Sequence, residues 1–414
     1  METSNLMTGA ARIVMPGLIA LGCISFSVSA QHAPQHHGKA GAPAAKPAEL
    51  GTTAAVDRQG RLWLASKEST PDGDYVVLRD SPDMGQTWSV PKRLQREPES
   101  AISADGENRP KLAFGSKDEI YVSYTKPLAK PHTAEIRFIR STDGGQSFSA
   151  PIVVHANRDV ITHRFESMTV DREGRIYVAW IDKRDLEAAR TRNRKYAGAA
   201  LYYAVSGDGG ATFRGDYKIA DHSCECCRIA LALRPDGKPV AMWRHVFEPN
   251  ARDHALIELT PDGKLPALNR ATFEDWRVDA CPHHGPALAY AADGTRHQTW
   301  FNVKGEEGGV FYASADPSGV LQTPVRLGSA QAQHADVAVH GKSIALAWKQ
   351  FDGKSTAILA KVSDDGGKTW RNVELARTEG GSDHPRLVAA DAGIYLIWRT
   401  RNEGVRSIAA MKGS

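Results

Sequence analysis

Charge of one sign is what this sequence most plainly lacks. Over 414 residues, 52 Lys and Arg stand against 48 Asp and Glu, a formal charge of +4, and the two signs are interspersed along the chain. A nucleic-acid or membrane-surface role needs a concentrated basic footprint, and there is none. Long apolar runs are missing too. The one candidate, residues 13–28, is shorter than the roughly 20 residues a bilayer-spanning helix needs, so no membrane span is expected after its cleavage. Cysteine is scarce at five residues, and the spacing does not match the zinc-finger pattern. What remains is 41% hydrophobic and 24% charged, the balance of a globular protein able to bury a core, neither fibrous nor wholly disordered.

The start of the chain points to export. A short polar stretch, residues 1–12, precedes the apolar run, and Val28-Ser29-Ala30 offers compact residues at minus three and minus one to signal peptidase. Residues 1–30 therefore read as a signal peptide, with mature protein beginning near Gln31 in the periplasm or outside the cell. A lipid anchor at Cys23 is the lesser alternative, because Ala20-Leu21-Gly22 puts no Leu at minus three. Residues 31–50, rich in Ala, Pro, Gly and His, read as a flexible leader. His32, His36 and His37 there are either metal chelators or plain linker. Residues 51–414 are then one domain.

A unit recurs through that domain. Its plainest copies are Arg109 to Phe114 with Glu119 to Tyr124, and Met168 to Val170 with Arg175 to Trp180: an alternating strand, a polar turn, and a second strand ending in an aromatic. Comparable pairs begin at Thr53, Ile229, Pro286, Asp336 and Pro385, making seven units. A third strand follows most pairs and runs into a second motif, at Ser81 to Trp88, Ser141 to Phe148, Ser206 to Phe213 and Ser363 to Trp370. In that motif Asp accepts backbone hydrogen bonds within its own turn, Gly supplies a conformation other residues resist, and the aromatic is expected to fold back into its own blade.

This S-x-D-x-G-x-x-[WF] motif resembles the Asp-box, or BNR repeat, of sialidases and related β-propellers. Ser314 to Gly319 looks like a decayed copy, and Leu259 to Gly263 keeps the turn without the box. The resemblance implies an all-β propeller of about seven four-stranded blades, with six the alternative because sialidases ordinarily have six. It implies little about activity, since in that family the box is a structural turn remote from the active site. The seventh unit ends after three strands, and residues near Glu49 are expected to lend its fourth.

In a propeller the first strand of each blade lines the central channel, so residues just before successive first strands should meet at one mouth. Those positions hold Cys224, Cys226, Cys227, Cys281, His283 and His284, with His163, His334 and His384 in other blades. Thiolate and imidazole favour copper or zinc over calcium or magnesium, which makes an exported metal protein, with redox chemistry as one option, the leading reading. Disulfides are the competing fate for exported cysteines, Cys224 or Cys226 pairing with Cys281. The rival function, a sialidase-like glycoside hydrolase or sugar-binding module acting on an anionic glycan, rests on Arg109, Arg164, Arg228 and Arg386, which occupy matching positions, as the carboxylate-gripping arginines of sialidases would. By that resemblance Asp105 or Asp182 would be the acid, Glu166 a helper, and Tyr202 or Tyr312 the nucleophile. The family's Arg-Ile-Pro segment is missing, however; Asn108-Arg109-Pro110 is the nearest text. A metal ion, a small anionic or sugar ligand, or a periplasmic protein are the partners these readings allow. Tyr124, Trp180, Trp243, Trp300, Trp348 and Trp398, closing the second strands, are expected to be core, and Lys126, Asp182, His245 and Asn302 just beyond them are expected at the same opening.

Overall fold

The computed structural model describes residues 50–280, 282–304 and 307–413. The signal segment, Cys23, the leader histidines His32, His36 and His37, Glu49 and Cys281 lie outside them.

The described chain folds as a β-propeller of seven blades, each an antiparallel meander taken in sequence order. Six blades have four strands. The seventh, Arg386–Ala390, Gly393–Thr400 and Gly404–Lys412, has three among the described residues. Each first strand packs beside the first strand of the next blade, and the last packs beside Thr53–Val56 of blade one, which closes the ring. Together they wall a central channel of about 270 Å³.

The alternating pattern becomes structure through tight turns. In blade one, the Asp57 carboxylate accepts the N–H groups of Gln59 and Arg61 at 3.0 and 2.9 Å, which fixes the hairpin between the first two strands. The second strands are buried on both faces, and the aromatics that end them, Trp180, Trp243, Trp300 and Trp398 among them, are core residues. The four Asp-boxes share one geometry: in each, the Ser hydroxyl donates to the Asp at 2.7 Å and accepts the N–H of the Gly four residues on at 2.7 or 2.8 Å.

The box aromatics join the cores of their own blades, as expected, and also wedge against the preceding blade. Phe213 of blade three meets Phe138 of blade two edge-on at 5.0 Å, Trp370 of blade six meets Tyr312 of blade five at 5.4 Å, and Phe148 joins the core shared by blades one and two. Trp88 of blade one packs against the core that blades one and seven share.

Candidate functional site

The loops entering the first strands converge on a cavity of about 680 Å³ at one end of the channel. Glu107 comes from the turn before Lys111–Phe114, His384 from the turn before Arg386–Ala390, and Cys226 and His283 from the loops opening blades four and five. Phe165 and His334 reach it from inside first strands. Both have left-handed backbone, φ 57° and 49°, and both sit where the pairing register slips, so the bulge turns each side chain toward the mouth.

The floor is a buried carboxylate among imidazoles. Glu107 Oε1 lies 3.5 Å from His334 Nδ1 and 3.6 Å from His384 Nδ1, and the two rings stack with centroids 3.5 Å apart. His284 continues the stack at 4.4 Å from His334 and lies against Phe301. Burial pushes His334 down to about 3 and His384 down to about 4, with Glu107 opposing both shifts, so the imidazoles are neutral at ordinary pH. Burial by itself would raise Glu107, but Arg228 and the two imidazoles pull it well below the usual carboxylate range. Glu107 Oε1 and both Nδ1 atoms are buried and have no hydrogen-bond partner among the described residues. These three atoms lie close enough together to hold a cation.

A second cluster forms the wall. Cys224, Cys226 and Cys227 are buried, with their sulfurs all within 4.8 Å of one another and the Cys224 and Cys226 sulfurs 3.9 Å apart. The remaining predicted ligands divide. His283 lines the mouth. His163 stacks on His155 instead, near Ala134 C=O and the Asp182 carboxylate, and belongs to neither cluster.

Most of the arginines expected to grip a substrate carboxylate are spoken for. Arg109 pairs with Asp383 at 3.1 Å and donates to the carbonyls of Thr52 and Gly106. Arg228 pairs with Glu107 at 3.1 Å and also donates to the carbonyls of Pro286 and Ala335, pinning blades two, four, five and six together. Arg386 faces Asp336 at 3.4 Å. These three line the channel beneath the mouth, while Arg164, over the Phe165 ring, faces the mouth itself.

The catalytic groups that the sialidase resemblance implies are also engaged elsewhere. Asp182 accepts Trp180 Nε1 and the N–H of Arg184 at 2.9 Å each and pairs with the Arg184 guanidinium, holding the start of helix Arg184–Thr191. Glu166 accepts the Thr125 hydroxyl. Tyr202 donates to Asp185, and the Tyr312 hydroxyl contacts His297. No tyrosine is among the described residues lining the mouth, although Asp105 is. Lys126 pairs with Glu99, His245 packs between Trp243 and Phe247, and Asn302 bonds Asp253 and Arg244, so none of these reaches the opening.

Glu107, His132 and Lys183, which also line the mouth, are not among the ligands or catalytic groups named from the sequence. Glu107 stands two residues before Arg109, at the same place in the repeat as the cysteines of blade four. That shared position is the signal that finds it.

The BNR/Asp-box repeat family model matches residues 361–372, the box of blade six. No curated protein matches the chain by sequence. Among solved structures, an ulvan lyase of polysaccharide lyase family PL25, bound to GlcA(1-4)Rha3S, aligns with TM-score 0.55 and 10% identity over 89% of this chain and 94% of that one. Polysaccharide lyase Uly1 aligns with TM-score 0.53 and 9% identity over 93% of each chain. The NanB sialidase of Streptococcus pneumoniae aligns with TM-score 0.47 and 8% identity over 75% of this chain and 67% of that one. Likeness at these identities is likeness of fold. With four boxes of one geometry on a closed ring of seven blades, the chain is a β-propeller that carries the BNR/Asp-box repeat and is similar in fold to these lyases.

Proposed function

We propose that this propeller acts on an acidic polysaccharide taken up at the channel mouth. The observation that carries the reading is the floor: a buried carboxylate against two neutral imidazoles, under an open cavity that also presents Arg164 and Lys183. Neutral imidazole accepts a proton, and Glu107 beside it stabilises the imidazolium that results. A uronate carboxylate needs a cation beside it, which Arg164 supplies.

Those parts suit β-elimination better than sialidase-type hydrolysis. The imidazole takes the C5 proton, the electron pair forms the C4–C5 double bond, and the C4–oxygen bond breaks, with the leaving oxygen taking up a proton. No tyrosine nucleophile is asked for, in keeping with the described lining. Lyases of the same fold are consistent with this chemistry, one of them bound to a glucuronate-containing saccharide. Export, expected from residues 1–30, would put the protein where such polymers are met.

The test is a panel of uronate polysaccharides, sulfated and unsulfated, assayed for ultraviolet absorbance of the unsaturated product and for new reducing ends. Both signals should rise together on at least one polymer, and His384→Ala should abolish them. Reducing ends without absorbance would replace elimination by hydrolysis. Absence of binding and product across the panel would overturn the reading.

A further inference from the structure

We propose that Cys224, Cys226 and Cys227 hold a thiophilic d10 cation, copper(I) or zinc(II), in the wall of the mouth. The loop carrying them joins the outer strand of blade three, Arg214–Ser223, to the first strand of blade four, Ala230–Leu233, and is tied down at several points. The Cys224 N–H donates to the Arg244 carbonyl at 3.0 Å, Ser223 pairs with His245, and Glu225 is held by Lys183. Because the backbone is fixed between blades, the three sulfurs are arranged before any ion arrives.

Their spacing suits a metal. With metal–sulfur bonds of about 2.3 Å, tetrahedral geometry sets sulfurs about 3.8 Å apart and trigonal geometry about 4.0 Å. Cys224 and Cys226 stand at 3.9 Å, and all three sulfurs lie within 4.8 Å. A disulfide between that pair would need about 2.05 Å. Thiolates are soft ligands, which selects copper(I) or zinc over the oxygen-seeking calcium and magnesium. Phe165 packs over the three cysteines, giving the dry surroundings in which thiolate–metal bonds meet little competition from water. Cys226 is nevertheless part of the cavity wall, so an ion has a route in from solvent. Arg164 on the same wall offsets part of the negative charge that three thiolates leave around a small cation. Binding releases the thiol protons to solvent, so affinity should rise with pH. The site is distinct from the Glu107 floor and does not depend on the glycan reading.

The experiment uses the full mature chain isolated from the cell, stripped with chelator under reductant and without oxygen. One portion is titrated with copper(I) against a bathocuproine competitor, another with zinc(II) against a chromophoric chelator. One equivalent should bind, and X-ray absorption of the loaded protein should show a shell of sulfur neighbours at about 2.3 Å. Cys224→Ser and Cys226→Ser should each lose the tight site. The absorption spectrum of the unaltered protein decides the matter even if those variants fold poorly. Retention of neither ion, a shell of nitrogen and oxygen alone, or Cys226 or Cys227 recovered in a disulfide from protein alkylated before reduction would overturn the proposal. Polysaccharide assays on the stripped protein keep its failure separate from failure of the glycan reading.

Discussion

Whether a buried histidine is neutral or charged decides how a protein answers to acid. His334 and His384 have folded values of about 3 and about 4, set by burial, against about 6.5 for histidine in an unfolded chain. Below pH 6.5 the unfolded chain therefore binds protons that the fold refuses, and stability falls as pH drops. The loss runs from about pH 6.5 down to about pH 4, where folded His384 begins to accept a proton of its own. Above the window the two residues add no pH dependence. At pH 5 each should cost about 2 kcal/mol relative to pH 7. Urea unfolding at the two pH values should show this fall in the natural chain, and His334→Gln combined with His384→Gln should flatten much of it. An unchanged slope in the double variant would mean that the rings are protonated in the fold, and the floor of the mouth would lose its proton acceptor.

The Asp-box shows which parts of a propeller can be read from sequence. The side chains of Ser206, Asp208 and Thr212 and the Gly210 N–H bond within their own turn, so a seven-residue text specifies the turn. Phe213 also meets Phe138, 75 residues upstream, and that contact depends on which blade stacks beside it. The mouth divides in the same way. That cysteines and histidines share a rim follows from the repeat, because first strands must line the channel. That Arg109 serves Asp383 and Arg228 serves Glu107 does not, because those pairs span 274 and 121 residues. The bulges at Phe165 and His334 were equally hidden, since a register slip depends on both strands. The wedge itself can be tested. Phe213→Ala gives up the edge-on ring contact and part of the interblade burial and should cost about 2–3 kcal/mol, with Phe213→Leu costing about half of that. Gly210→Ala should cost more, since its φ of +82° disfavours a side chain and the new Cβ would stand 2.3 Å from the Phe138 ring. Denaturant midpoints give the order, and a Phe213→Ala midpoint equal to that of the natural chain would remove the wedge from the account of how blades hold together.

A ring of blades has one seam that the chain does not cross, and here it lies between blades seven and one. Among the described residues no strand from one end completes the sheet of the other, so the seam relies on packing, on a hydrogen bond from Arg399 to the Thr52 hydroxyl and on a buried acid. Asp383 accepts the N–H of Thr52 at 2.9 Å and pairs with Arg109 at 3.1 Å, tying residues 331 and 274 positions away to blade seven. Burial raises the pKa of this acid and the Arg109 charge opposes that shift, so the carboxylate and its partner depend on each other. Asp383→Asn keeps the shape and can still accept from Thr52, but it leaves Arg109 buried without a counter-charge, a loss of about 3–5 kcal/mol. Because the damage falls on the seam, the chain should open there before it unfolds elsewhere. Hydrogen exchange should therefore quicken in Thr53–Val56 and Leu62–Thr70 and in Arg386–Ala390 and Gly393–Thr400, while Pro239–Arg244 on the far side keeps its protection. Uniform loss of protection around the ring would show that the blades open together and that Asp383 contributes to global stability without being the latch. Opening confined to the seam would carry a consequence for the mouth, since His384 follows Asp383 directly and its N–H donates to that carboxylate at 2.7 Å. The imidazole that completes the floor would then be held in place by the same residue that closes the ring, and Asp383→Asn should weaken glycan binding along with stability.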